Sequence, residues 1–234
     1  MEPILVYGFP LGSATGLVAA FEWLGQPYRL CRVDMLKDMK NDDYRRLNGR
    51  AETPVLITDD GRVLTETMAI AQWLEVRDTE RRISFAPGTP KADRMHQFIA
   101  FVNTGFTGAF SPLWAALEMD PPNPSVQEPL RAVGRKMAAD RHGQLEAMIG
   151  DTPFLVGGRP TLADGVLVGV ARWAEFHGAP DLSAYPKLSA VRRRIESDPA
   201  FAFAVAIEDG ETPTGSGAMT GQVPLADVIA RFAG

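Results

Sequence analysis

The chain has 234 residues, 45% of them hydrophobic and 23% charged, which suits one large or two modest globular domains and excludes a disordered polymer. Its net charge of -5 excludes a broad nucleic-acid face, because phosphate recognition needs clustered Lys and Arg and the strongest cluster, Arg192-Arg193-Arg194, is local. The single cysteine, Cys31, excludes an intramolecular disulfide; no signal peptide or membrane-spanning stretch is read, so the cytoplasm is the expected compartment.

In chain order, residues 4–7 form a short apolar run of strand character. Leu17, Val18, Phe21 and Leu24 then recur at helical spacing, and Gly25 supplies the stop. Residues 27–33 read as a second strand, and 37–48 as a polar connection with one short helix around Tyr44. The runs 54–58 and 62–64 flank Asp59-Asp60-Gly61, a turn signal that predicts a β-hairpin. Residues 66–76 carry Met68, Ala69, Ile70, Ala71 and Leu74, as a packed helix does. The order βαβ, small helix, ββα marks residues 1–79 as an α/β domain.

Residues 80–90 are charged and then rich in Gly and Pro, as an interdomain linker is. Beyond them helical patterns run over 91–118, 125–149, 162–176 and 188–207, and no strand is predicted in this all-helical domain, 91–208. The breaks fall at Pro121-Pro122, Gly157-Gly158, Gly178 and Pro186. Within the tail, 209–234, the Gly, Thr and Ser-rich segment 209–221 reads as flexible. Leu225, Val228, Ile229 and Phe232 fall at i, i+3, i+4 and i+7, which predicts a short amphipathic helix docking back on the body.

The most informative stretch is Thr53-Pro54-Val55-Leu56, followed after the hairpin by Leu64-Thr65-Glu66-Thr67-Met68-Ala69-Ile70. It resembles the glutathione transferase family, where a Val/Thr-Pro-x-Leu strand with a cis proline precedes Glu-Ser/Thr-x-Ala-Ile at a helix start. The resemblance covers roughly residues 4–207. It implies an α+β protein of two domains: a thioredoxin-like α/β domain with a mixed four-stranded sheet, then an all-α bundle. It also implies a homodimer, glutathione as co-substrate, no metal, and conjugation of the glutathione thiolate to a hydrophobic electrophile. Other glutathione-dependent reactions (peroxidase, isomerase or dehalogenase) and a non-catalytic binding or regulatory module are the alternatives.

Carried onto this chain, the resemblance assigns the backbone of Thr53, with Pro54, to the cysteinyl backbone of glutathione, in the manner of strand addition. The helix start at Glu66 and Thr67 offers N–H groups and a hydroxyl to the γ-glutamyl carboxylate, and the Glu66 carboxylate meets the ammonium group. Lys40 or Arg50 supplies the cation for the glycine carboxylate. A free thiol titrates near pH 8.5, so only about 3% is thiolate at pH 7 and a catalyst must lower that value. The segment Tyr7-Gly8-Phe9-Pro10-Leu11-Gly12-Ser13 lies where the family places a Tyr, Ser or Cys for this task, and Ser13 and Tyr7 are the candidates. Where bacterial beta-class members carry a histidine this chain has Thr107, and it has no cysteine at Ser13.

In the helical domain, Phe101 to Leu113 resembles the family's first long helix, and Phe106, Phe110 and Trp114 are assigned to the electrophile pocket. Thr161-Leu162-Ala163-Asp164 reads as a capping box with Asp in the reciprocal role, although Pro160 and Gly165 depart from the usual hydrophobic staple. There is no Cys-x-x-Cys, phosphate loop or dinucleotide fingerprint, and His96, His142 and His177 lack metal-ligand spacing. Cys31, in mid-strand, reads as a buried small hydrophobe.

Overall fold

The computed structural model describes residues 1–232. Its first domain runs β1 (Ile4–Phe9), α1 (Thr15–Leu24), β2 (Tyr28–Asp34), two 3₁₀ turns (Asp38–Lys40 and Asp42–Arg46), β3 (Val55–Ile57), β4 (Val63–Thr65) and α2 (Thr67–Arg77). β1 and β2 are parallel, while β3 is antiparallel to both β1 and β4. Because side chains alternate across a pleated strand, Leu5, Tyr7, Leu30 and Leu56 enter the core under α1. Ile4, Val6, Cys31, Val33, Val55 and Ile57 enter a second cluster on the opposite face. Burial there pushes the Cys31 thiol up to about 12, as suits a packing residue.

The helical domain holds α3 (Pro90–Phe101), a π-helical stretch (Val102–Phe106), α4 (Ser111–Leu117), α5 (Pro124–Met148), α6 (Leu162–Ala171), α7 (Trp173–His177), α8 (Pro186–Glu196) and α9 (Pro199–Glu208). Three of the four predicted helices are each divided in two. The first loosens over the glycine-containing stretch 102–110 and restarts with Pro112 in its first turn. The last breaks at Asp198, whose carboxylate caps the N–H of Ala200, with Pro199 following as the first helical residue. No helix among the described residues is long and apolar enough to cross a membrane.

Two features depart from expectation. The tail does not stay loose: β5 (Met219–Gln222) pairs parallel with β2, giving a five-stranded sheet in the order β4-β3-β1-β2-β5. α10 (Leu225–Ala230) then follows, and Val228, Leu225, Ile229 and Phe232 pack against the second cluster, which is where the predicted docking helix meets the body. The other feature is Gly165, which stands where a larger residue was expected. A Cβ built on Gly16 would meet the Gly165 carbonyl oxygen at 1.7 Å, and one on Gly169 would meet that of Ser13 at 2.2 Å. α1 and α6 therefore meet backbone to backbone, which only glycine permits. The capping box itself is complete: Asp164 accepts from Thr161 N at 2.8 Å and Leu155 N at 2.9 Å.

Candidate functional site

An open cleft of about 930 Å³ lies between the two domains. Its floor is the β1–α1 loop, Pro10 to Ser13. One wall is Met35, Leu36, Met39 and Lys40 after β2, continued by Glu52 and Thr53 before β3. The facing wall is Trp114, Leu117 and Glu118 from α4 with Trp173 and Phe176 from α7.

The floor is shaped by local backbone demands. The Phe9–Pro10 bond is cis, Leu11 sits at φ 58°, and a Cβ on Gly12 would collide with the Gly8 carbonyl oxygen at 2.0 Å. Ser13 follows, half-buried at the edge of the cleft and just before α1, and its hydroxyl has no hydrogen-bond partner among the described residues. Tyr7 is elsewhere. A Cβ on the neighbouring Gly8 would touch Thr53 Oγ1, so the Gly8 face of β1 looks toward the cleft and Tyr7 looks away from it. The Tyr7 hydroxyl donates to the Ile207 carbonyl at 3.1 Å, and burial raises its pKa well above the usual phenol range. Of the two thiol-activating candidates, Ser13 lines the cleft and Tyr7 does not.

The Thr53–Pro54 bond is cis, as the resemblance implied. Pro54 is buried, while Thr53 lines the cleft and its N–H makes no hydrogen bond among the described residues. Val55 pairs with Thr65, so the antiparallel register brings Glu66 and Thr67 to the same end of the sheet as Pro54 and Thr53. Glu66 precedes α2 at φ 74°, ψ 125°, a conformation that costs a non-glycine residue about 1–3 kcal/mol. No side chain caps the first N–H groups of α2, and the helix dipole makes that end electropositive. Arg50 reaches Glu66 Oε1 at 3.0 Å and also pairs with Glu52. Arg50, Glu66 and Thr67 are not among the residues that line the cleft, whereas Lys40 is.

The aromatic wall differs from its sequence reading. Phe106 and Phe110 are fully buried against His142, with ring centroids 4.6 and 6.1 Å away, and belong to the interhelical core. Trp114 does face the cleft, stacked on Phe176 at 5.3 Å and set edge-to-face with Trp173 at 5.4 Å. Trp173, Phe176 and Leu117 were missed; their signal is the i, i+3 spacing shared by Trp114-Leu117 and Trp173-Phe176. Thr107 donates to the Val102 carbonyl at 2.8 Å inside its own helix. Among the described residues no His, Cys, Asp and Glu group has a metal-binding arrangement.

The "Glutathione S-transferase, N-terminal domain" family matches residues 14–77, and the "Glutathione S-transferase, C-terminal domain" family matches residues 109–199. Glutathione S-transferase GstA of Escherichia coli O157:H7 is 25% identical over 179 residues, 74% of this chain and 85% of that protein. Maleylacetoacetate isomerase of Pseudomonas aeruginosa is 28% identical over 202 residues, 81% of this chain and 89% of that protein. Among solved structures, a glutathione S-transferase from Xylella fastidiosa superposes with a TM-score of 0.78 at 26% identity, covering 90% of this chain and all of its own. With both of its domains matched in order, and with a thioredoxin-like sheet domain leading into an all-helical bundle, the chain belongs to the glutathione transferase family.

Proposed function

We propose that the protein conjugates the thiolate of glutathione to a hydrophobic electrophile. The observation that carries this reading is the convergence of Ser13, Thr53 and Lys40 on one cleft whose far wall is Trp114, Trp173 and Phe176. In it, the Thr53 N–H and carbonyl pair with the cysteinyl backbone of glutathione. The start of α2, with Thr67, receives the γ-glutamyl carboxylate; Glu66, steered by Arg50, meets the ammonium group; Lys40 meets the glycine carboxylate. The Ser13 hydroxyl donates to the sulfur and favours its thiolate. Lowering the thiol pKa by about two units raises the thiolate share at pH 7 to roughly three quarters and asks for about 2.7 kcal/mol, which one charge-assisted hydrogen bond and the nearby amino end of α1 supply together. The thiolate then attacks an electrophile held against the aromatic wall.

The apolar character of that wall favours a nonpolar co-substrate over a doubly anionic one, since Lys40 is the sole cation lining the cleft among the described residues. Assembly as a homodimer in the cytoplasm completes the proposal. An exposed stripe of Val126, Val133 and Met137 along α5, at i, i+7 and i+11, and the exposed Val76 on α2 support a self-association surface.

The test is a titration of glutathione into the protein while thiolate absorbance is followed against pH. Binding with a lowered thiol pKa is the expected result. Binding with the pKa of free glutathione would point to a ligand-holding module, and absence of binding would remove the proposal.

A further inference from the structure

The β1–α1 loop is held less by its own sequence than by groups that arrive from the helical domain. The Leu11 N–H donates to Glu208 Oε1 at 2.7 Å, and the Leu11 carbonyl accepts from the Trp173 indole N–H at 2.8 Å. The Gly12 carbonyl accepts from Arg172 Nη2 at 3.0 Å. Arg172 Nη2 also lies 2.8 Å from the Thr15 hydroxyl and pairs with the Glu208 carboxylate, to which Thr15 donates. Three backbone groups of Leu11 and Gly12, the two residues before Ser13, are thereby fixed by residues up to 197 positions away. The carbonyl of Ser13 itself is wedged against Gly169.

Glu208 and Arg172 do not line the cleft, and their side chains are only 6% and 16% exposed. A buried ion pair is a poor source of net stability, because desolvation of both charges offsets most of their attraction; its better-attested use is to specify one geometry. Here the geometry specified is the left-handed Leu11 backbone at φ 58°, which a leucine does not hold unaided. Arg32 completes the arrangement by donating to the Glu208 carbonyl through Nε at 3.2 Å and Nη2 at 2.8 Å, with its guanidinium 3.3 Å over the Phe9 ring. The backbone at the end of α9 is thus anchored from the sheet side, which fixes where the Glu208 side chain starts.

We propose that Glu208 and Arg172 are positioning residues: through Leu11, Gly12 and Thr15 they set the direction of the Ser13 hydroxyl and hence the acidity of the bound thiol. The inference rests on Ser13 being the thiol donor, and it adds that the helical domain tunes sulfur reactivity from outside the ligand contacts. Glu208→Gln keeps the side-chain shape but removes the charge from Arg172, and Thr15→Val removes only the hydroxyl, with Thr15→Ser as its conservative counterpart.

The experiment measures three quantities for each variant: the dissociation constant of glutathione, the pKa of its bound thiol by absorbance, and kcat with 1-chloro-2,4-dinitrobenzene as the electrophilic probe across pH. The expected result for Glu208→Gln and Thr15→Val is glutathione affinity within about threefold of the parent, a bound-thiol pKa raised by about one unit and kcat at pH 6.5 lowered roughly tenfold, since a misdirected donor loses a fraction of an activating hydrogen bond. Thr15→Ser should restore both. Variants that melt earlier yet keep the parental thiol pKa and kcat would show the cluster to be structural only and overturn the inference. A parent protein that binds glutathione without lowering its thiol pKa would instead remove the donor role of Ser13, and the inference with it. Should Glu208→Gln not fold, Thr15→Val decides the matter alone.

Discussion

The Tyr7 hydroxyl and the Ile207 carbonyl, 200 positions apart in sequence, are joined by a 3.1 Å hydrogen bond that ties the central strand of the sheet to α9. Tyr7→Phe removes one of two donors to the Ile207 carbonyl, which keeps the Gly210 N–H at 3.1 Å, and should cost about 1 kcal/mol of stability. Because Tyr7 faces away from the cleft, the same change should leave the bound-thiol pKa where it was. Ser13→Ala should do the reverse: near-parental stability, a raised thiol pKa and kcat lower by about 10- to 100-fold. Denaturant melts together with thiolate absorbance separate the two, and a shifted thiol pKa in Tyr7→Phe would return Tyr7 to candidacy.

Sequence left Lys40 and Arg50 as alternatives for the glycine carboxylate, and of the two only Lys40 lines the cleft. Lys40→Ala should weaken glutathione binding about fivefold in low salt, and progressively less as ionic strength rises, as an exposed charge contact does. Arg50→Ala should act through the freed Glu66 and produce a smaller, salt-sensitive loss. Calorimetry at two salt concentrations checks both, and a Lys40→Ala variant that binds like the parent would assign the glycine carboxylate elsewhere.

Asp164 is fully buried beneath the start of α6, and burial raises its pKa to about 6 against the opposing pull of the Leu155 and Thr161 donors. Asp164→Ala strands those buried donors and should cost about 3 kcal/mol. Asp164→Asn keeps one acceptor and should recover part of the loss. Equal destabilisation by the two variants in urea melts would mean that the charge, not the hydrogen bonding, matters there.

His142 makes an acid-sensitive element. Burial against Phe106 lowers its pKa to about 4 from an ordinary 6.5, despite the Nδ1 contact to the Ala138 carbonyl at 2.7 Å. Above pH 6.5 the imidazole is neutral whether the chain is folded or not, and contributes no pH dependence. Between about 6.5 and 4 the unfolded chain takes up a proton that the folded chain refuses, so stability falls as pH falls, by about 3 kcal/mol in all. Asp164, whose pKa is raised on folding, titrates in the opposite sense over about pH 6 to 4 and offsets part of this. The difference between His142→Leu and the parent isolates the histidine: the variant should lose less stability from pH 7 to pH 4. Parallel stability curves would rule the imidazole out as the source.

Trp114→Ala should raise KM for an aromatic electrophile about tenfold by opening the stacked wall, whereas Phe106→Leu should cost stability and leave KM nearly unchanged. Steady-state kinetics with varied electrophile at saturating glutathione distinguishes the two.

Much of this was legible in the residues themselves, because its local chemistry is stringent. Thr53-Pro54 and Glu66-Thr67 flank a hairpin with an unambiguous turn, so their shared sheet end follows from register. What was not legible depends on direction and long-range contact. Phe106, Phe110 and Trp114 repeat every four residues, which predicts a common helix face but not which of them emerges at a cleft. Trp173 and Phe176 sit on a five-residue helix whose orientation is decided by packing. Gly165 read as a missing staple because nothing local announces that α1 crosses at that point. β5 holds Thr220 and Gly221 in a Gly-rich context, and its strand character comes from the open flank of β2.

That added strand gives the sheet a sealed margin. Without it, β2 would present a bare row of amides and carbonyls alongside the apolar Val33 and Cys31, the arrangement through which sheets zip onto one another in concentrated solution. A chain shortened after residue 209 should therefore first betray itself by turbidity on warming, with β2 as the seam along which the molecules join.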